Sequence, residues 1–167
     1  MRVREAEDED IPRVAWLHVR IWEEVYRGIL ADEFLNDITV KKRGEQWRDF
    51  ISRPGSYNLF VAERENEIVG FVSCGPARCE ELGEEFPGEL YTIYVKSSRW
   101  REGIGEALFR RAERHLEQEG LFPFYLWVLA ELEGSRDFYE SMGGEIIRER
   151  KAEIGGREHR DLAFGWK

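Results

Sequence analysis

Apolar residues recur at helical spacing in the first third of the chain. Over residues 11–25 they occupy every third or fourth position, and residues 8–12 supply the carboxylates and the proline that commonly begin a helix. A second helical pattern covers residues 32–51, with room for a break at residues 39–40. A short strand is predicted at residues 2–6.

From residue 57 the pattern becomes one of strands. Residues 57–63 and 68–75 are apolar-rich runs on either side of a tight turn, which predicts an antiparallel hairpin. Residues 76–88 contain two prolines and two glycines and are predicted to form a loop. Residues 89–95 carry apolar side chains on both faces, as is typical of a central strand that is covered on both sides.

Helix and strand alternate in the remainder. Apolar residues spaced by four predict a helix from residue 104 that Gly120 ends, and a buried strand follows at residues 124–129. A short helix at residues 135–142 and two closing strands, at 145–153 and 157–164, complete the pattern. The strand, helix, strand order in the middle favours a parallel connection, whereas the flanking hairpins are antiparallel.

These patterns predict an α/β (α+β) fold with a mixed, mostly antiparallel sheet of about seven strands and about four helices. The 167 residues, 42% of them hydrophobic, suit a single domain over residues 1–167 and exclude a disordered chain. With 25 Lys and Arg against 34 Asp and Glu, the formal net charge is −9, which argues against nonspecific nucleic-acid binding.

The cysteines and histidines do not form a recognisable metal or disulfide pattern. Cys74 and Cys79 lack a second pair, and the three histidines are scattered, so both thiols are predicted to be reduced and no metal is expected. No signal-like apolar run begins the sequence, and its longest apolar stretch is about half of a membrane span. We therefore expect a cytoplasmic protein without a membrane partner.

Gly103 and Gly105 lie where the buried strand turns into the following helix. Such a turn leaves backbone N–H groups free at the positive end of the helix dipole, where phosphate binds. A tight turn without a ligand is the alternative. A P-loop is excluded because its Lys-containing motif is absent, and a Rossmann site is excluded because Leu108 stands where its third glycine is needed.

The segment around these glycines resembles motif A of the GNAT superfamily of acyl-CoA-dependent N-acyltransferases, [Gln/Arg]-x-x-Gly-x-[Gly/Ala]. Trp100 replaces the Gln or Arg, and Leu132 replaces an Asn that is frequent in the family. The likeness covers nearly the whole chain. Its further residues are Trp22, Tyr26-Arg27-Gly28-Ile29-Leu30, Asp32, Ile68-Val69-Gly70-Phe71, Leu126-Trp127-Val128-Leu129 and Phe138-Tyr139-Glu140.

The resemblance implies a GNAT fold in which the two central parallel strands splay apart, and acetyl-CoA as the acetyl donor. The backbone of Ile93, Tyr94 and Val95 would pair with the pantetheine. The pyrophosphate would bind the N–H groups of Arg101, Glu102, Gly103, Ile104, Gly105 and Glu106. Lys96, Arg99 or Arg101 would lie near the outer phosphate; the alternative is that these cations belong to a solvated turn without a ligand.

The resemblance also implies a catalytic pair. Glu89 aligns with a glutamate general base, which an alkylammonium acceptor requires, and Tyr139 aligns with the acid that protonates the leaving thiolate. The alternative for Glu89 is an ordinary exposed glutamate at a strand end, and the alternative for Tyr139 is a core aromatic. Phe138 is expected to point inward and to leave Tyr139 on an adjacent face of the helix. No nucleophile is indicated, so direct transfer in a ternary complex is favoured over an acetyl-cysteine.

By the same resemblance, the acceptor cleft would involve Trp22, Tyr26 and Glu85, the last in a loop rich in glutamates. Carboxylates beside aromatics favour a small cationic amine or a basic peptide, although an acidic loop can simply be a solvated surface. A protein N-terminal or lysine acetyltransferase and a non-catalytic acyl-CoA-binding module are the alternatives. The apolar segment 162–166 could support a homodimer or lie inside the monomer.

Overall fold

Seven strands form one mixed sheet in the computed structural model, which describes residues 1–167. The spatial order is β1-β2-β3-β4-β5-β7-β6, and every neighbouring pair is antiparallel except β4 and β5. This confirms the predicted sheet. The strands are β1 (Arg2–Glu5), β2 (Asn58–Arg64), β3 (Glu67–Pro76), β4 (Gly88–Val95), β5 (Phe124–Leu129), β6 (Glu145–Ile154) and β7 (Arg157–Trp166).

Six helices accompany the sheet, two of them very short. They are α1 (Ile11–Val25), α2 (Asp32–Asn36), α3 (Val40–Ile51), α4 (Glu80–Gly83), α5 (Ile104–Gln118) and α6 (Glu133–Ser141). The second predicted helix does break near residue 39, because the Thr39 hydroxyl accepts the Lys42 N–H at 3.3 Å and caps α3. The loop predicted before β4 contains α4, whose four residues are too few for a periodic signal.

The helices cover both faces of the sheet and enclose two main cores. On one face α5 packs through Leu108, Phe109 and Leu116 against strand residues such as Phe124. On the other face, side chains of α1 and α3, including Trp47, pack against β2 and β3. Burial on both faces explains why the central strands read as continuous apolar runs.

The parallel pair β4 and β5 is joined only at its amino end. Gly88 pairs with Phe124 and Glu89 with Tyr125, and no pairing continues beyond them. A bulge in β4 at Tyr91 accompanies the divergence, since the register with β3 shifts there. The β5-facing backbone edge of β4 is therefore open from residue 90 to residue 95.

Strand β7 lies between β5 and β6 and is paired on both edges. Its apolar end at residues 162–166 therefore belongs to the monomer core, which was one of the two alternatives for this segment. The homodimer stays a prediction. None of the helices combines the length and the apolar character required to traverse a bilayer.

Candidate functional site

The turn before α5 presents a row of free backbone donors. None of the backbone N–H groups from Arg101 to Glu106 donates to an acceptor within the protein. The first N–H group that forms a hydrogen bond is that of Ala107, which donates to Gly103 O at 3.0 Å. Gly103 has φ +77° and Arg101 has φ +65°, so two left-handed residues shape the turn. Six consecutive free donors at a helix N-terminus form a site suited to a phosphate group.

Two of the three cations predicted near this turn are already paired. Lys96 forms an ion pair with Glu67, and Arg99 lies 3.5 Å from Glu65. Arg101 is exposed and has no ion-pair partner, so it is the cation free to meet an anion. Trp100, the departure from the family motif, is 59% exposed and its indole N–H donates to Val95 O at 2.9 Å, which closes the outer end of the open β4 edge.

Three tyrosines converge where β4 and β5 separate. The Trp22 indole N–H donates to the Tyr94 hydroxyl at 3.0 Å, and the Tyr26 hydroxyl lies close to that of Tyr94. Tyr139 approaches the same gap from the α5 side of the sheet, and its hydroxyl lies near Tyr94. Burial raises the pKa of all three phenols, so each remains a proton donor at neutral pH.

The side chain of Tyr139 does not face as the sequence pattern predicted. Tyr139 is the more buried, at 8% exposure, against Phe164 and Trp166, whereas Phe138 is half-buried and lies over Gly105. The prediction that Phe138 points inward is therefore confirmed, whereas the prediction that Tyr139 lies on an adjacent face outside the core is wrong. The reason is that two faces of α6 are covered: Phe138 packs on Phe109, and Tyr139 packs on Phe164 and Trp166.

Glu89 is buried and fully engaged. Only 2% of it is exposed, and the Arg78 guanidinium lies 2.6 Å from its Oε1, while the Arg78 backbone N–H and the Tyr125 hydroxyl donate to Oε2 at 2.9 and 2.8 Å. It is therefore not the exposed strand-end glutamate of the alternative interpretation. Arg78 lies in the loop before α4 and Tyr125 on β5, and neither had a sequence signal that linked it to Glu89.

Glu85 lies apart from the other predicted acceptor residues. It forms an ion pair with Lys167 at the end of the sheet where β4 and β5 are still paired. Trp22 and Tyr26 stack on each other, with ring centroids 4.5 Å apart, beside Tyr94 at the other end of β4. The structure thus brings Trp22 and Tyr26 together and does not place Glu85 with them, because the loop folds back over the start of β4.

A buried acid that the sequence analysis missed lies near Tyr26, one of the residues predicted to contact the acceptor. Asp161 of β7 is 6% exposed and pairs across the sheet with Leu129, whose side chain packs among residues that include Tyr26. Arg150 donates to Asp161 Oδ2 at 2.9 and 3.1 Å. Burial raises the pKa of Asp161, against the effect of Arg150. An aspartate within an apolar strand was the available signal.

Both cysteines are free thiols, as expected. Cys74 is fully buried in β3, and burial raises the pKa of its thiol to about 12, so it is not ionised at neutral pH. A nucleophilic thiolate is therefore not available at this position.

Comparison with known proteins matches the chain to one family. A model described as the acetyltransferase (GNAT) family matches residues 22–144. The uncharacterized N-acetyltransferase YuaI of Bacillus subtilis (strain 168) is 34% identical over 165 residues, which cover 98% of this chain and 91% of that protein.

Solved structures show the same fold. The ribosomal-protein-alanine N-acetyltransferase from Brucella melitensis superposes with a TM-score of 0.78 at 25% identity, over 99% of each chain. The paia N-acetyltransferase from Thermoplasma acidophilum, solved in complex with coenzyme A, gives a TM-score of 0.77 at 19% identity, over 99% of this chain and 98% of that one.

Proposed function

Because the chain belongs to the acetyltransferase (GNAT) family, we propose that it transfers the acetyl group of acetyl-CoA to the primary amine of a small cationic molecule, by direct attack in a ternary complex. The observation that carries this proposal is the alignment of three features along one path. The free N–H turn before α5 leads to the open edge of β4, and that edge leads to the hydroxyls of Tyr26, Tyr94 and Tyr139.

The residues of the turn and the strand fit the donor. Residues 101–106 have unbonded donors for a pyrophosphate, and the open β4 edge has backbone groups at Ile93 for an extended amide-containing arm. At Val95 the carbonyl accepts the Trp100 indole N–H, which an arm that binds there would have to displace. Bound acetyl-CoA would supply an activated acyl group and a sulfur leaving group. Arg101 is the unpaired cation beside this path.

Tyr139 is the proposed acid. Its hydroxyl makes no hydrogen bond within the protein and is protonated at neutral pH, so it is available to donate to a departing sulfur. Burial raises the pKa of Tyr139, and it would also raise the pKa of a thiol formed beside it, so the thiolate gains from this proton donor. Its position at the gap between β4 and β5 supports contact with the leaving group. Cys74 is too buried and too weakly acidic to compete as a nucleophile, which supports direct transfer.

Glu89 is the proposed base. It lies at the end of β4 that is paired with β5, whereas Tyr94 lies five residues further along the strand, so the proposed route from an acceptor beside Tyr94 to Glu89 is through water. Arg78 and Tyr125 occupy both carboxylate oxygens, so an amine cannot contact Glu89 without displacing them. A water chain from the acceptor to this carboxylate would let Glu89 accept the proton of the amine while Arg78 and Tyr125 stay in place.

The cationic character of the acceptor is supported by acidic groups near Tyr26. Asp161 lies near the Tyr26 hydroxyl, and its Oδ1 is free because Arg150 contacts only Oδ2. Glu131 lies near Asp161 and is paired with His159 Nδ1 at 3.1 Å. The second candidate acceptor is a basic peptide terminus, favoured by the likeness to the ribosomal-protein-alanine N-acetyltransferase.

The test is to titrate the protein with acetyl-CoA by calorimetry and then to follow CoA release with polyamines, amino acids, aminoglycosides and basic peptides. Micromolar binding together with turnover of a small amine is the expected result. Turnover of peptides alone would replace the small amine by the second candidate. Binding without turnover across the panel would favour a non-catalytic acyl-CoA-binding module, and no binding would overturn the proposal.

A further inference from the structure

Helix α3 begins with three cations that have no anionic partner. Lys41, Lys42 and Arg43 occupy its first turn, which contains no acidic residue. Cations at this end of a helix are disfavoured by the helix dipole, which prefers anions there. The ammonium of Lys42 meets only the Asp37 carbonyl, at 3.3 Å, so the charge of this turn is uncompensated within the protein.

The Arg43 guanidinium lies against the aromatic wall of the acceptor cleft. Its central carbon is 5.0 Å from the centroid of the Trp22 ring, and Trp22 in turn donates to the Tyr94 hydroxyl. Arg43 donates from Nη1 to Gln46 at 2.9 Å, whereas its Nε is buried without any acceptor. A half-buried guanidinium with an unused buried donor lacks the anion that would normally accompany it.

A second buried donor without an acceptor lies nearby on α1. His18 is 4% exposed, and its Nδ1 accepts the Trp47 indole N–H at 3.1 Å, which places the proton of the neutral ring on Nε2. That Nε2 has no partner. Burial and the nearby charge of Arg43 lower the pKa of His18 to about 3, so the ring adds a donor and no charge at neutral pH.

Groups that can bind an anion and groups that can bind a cation therefore lie on opposite sides of the stacked Trp22 and Tyr26 rings. Arg43 lies on the α3 side of Trp22, and Asp161, with Glu131 near it, lies on the β7 side of Tyr26. The Oδ1 atom of Asp161 accepts no hydrogen bond from the protein, because both contacts of Arg150 are to Oδ2. A ligand that carries both an ammonium and a carboxylate matches this arrangement.

We propose that Arg43 binds a carboxylate of the acceptor, so that the acceptor is a small molecule of the amino-acid class, with a primary amine and a carboxylate in one molecule. This inference rests on the proposed acetyltransferase function; it keeps the primary amine of the acceptor and adds a carboxylate, so that the acceptor is a zwitterion. The amine faces Tyr26 and Asp161, and the carboxylate faces Arg43 and the N-terminus of α3.

The test compares matched acceptors that differ only in the carboxylate: the standard L-amino acids, their carboxamides and the corresponding decarboxylated amines. Wild type is expected to favour amino acids. Arg43→Gln should reduce kcat/KM for them by about 10- to 100-fold through KM, with little change for the carboxamides and in the affinity for acetyl-CoA. Arg53→Gln is the control, because Arg53 also lies over aromatic rings and is exposed outside the cleft.

Binding of the same probes to the CoA-saturated protein, measured by calorimetry, separates this inference from the proposed function. Carboxylate-selective binding that depends on Arg43 would support the inference even without turnover, in which case only the proposed function fails. Equal losses for amino acids and carboxamides in Arg43→Gln would mean that Arg43 only packs on Trp22, and would overturn the inference. A wild type without any preference for the carboxylate, in turnover or in binding, would also overturn it.

Discussion

The Glu89 carboxylate and the Arg78 guanidinium form an ion pair of 2.6 Å, in which the glutamate is almost completely buried and the arginine side chain is 60% exposed. The pair connects the loop before α4 to the start of β4, and Tyr125 adds the neighbouring strand. Glu89 thus holds together the one place where the parallel strands are joined.

Glu89→Gln tests whether this carboxylate also accepts a proton. Glutamine keeps the shape and an acceptor for Tyr125 but cannot take up a proton at neutral pH. We expect kcat at pH 7 to fall at least about tenfold, with less loss at higher pH, where more of the amine is already neutral. The measurement is kcat, together with kcat/KM, as a function of pH for the variant and the wild type.

Arg78→Gln is the matched control for Glu89→Gln. It removes the same ion pair but leaves the buried carboxylate in place, so it should lower the melting temperature at least as much as Glu89→Gln while retaining more of kcat. Equal kcat values for Glu89→Gln and wild type at pH 7 would leave Glu89 with a structural role only.

Tyr139→Phe removes the hydroxyl at the gap between β4 and β5. Because that hydroxyl is the proposed acid for the leaving sulfur, kcat should fall at least about tenfold with little change in KM. The control is Tyr57→Phe, since Tyr57 packs on Phe50 and Tyr91. A near-normal kcat for Tyr139→Phe would reject the assignment.

Arg101→Glu reverses the charge of the unpaired side chain at the turn before α5. The dissociation constant for CoA, measured by calorimetry, should rise about tenfold, because a negative charge then faces the phosphates. Arg114→Glu makes the same change at an exposed position further along α5 and should leave the constant unchanged. If both variants bind CoA like wild type, Arg101 is not part of the donor site.

His18 makes stability depend on pH in the mildly acidic range. The folded state binds the proton only near pH 3, whereas the unfolded chain binds it near 6.5. Acidification between these values therefore favours unfolding, by up to about 1.4 kcal/mol per pH unit from this residue. His18→Asn retains an acceptor for Trp47 and does not titrate, so urea unfolding between pH 4 and 7 should show a smaller slope for this variant than for wild type.

Local sequence patterns were sufficient to predict the fold. Strand and helix periodicity are local properties, so the seven strands, the break before α3 and the parallel connection could be read from residue spacing. The glycines at 103 and 105 likewise predicted a turn with free N–H groups, because backbone conformation there depends on the residues of the turn itself.

Only the tertiary structure decided which side chains share a site. Arg78 and Tyr125 meet Glu89 from separate parts of the chain, and Arg43 meets Trp22 from another helix. Such contacts depend on how the elements pack, for which periodicity contains no signal. The same reason separates Glu85 from Tyr26. An acidic loop is visible in the sequence, but its direction depends on the burial of Leu82 and Phe86 against the sheet, and the pairing of Glu85 with Lys167 follows from that packing.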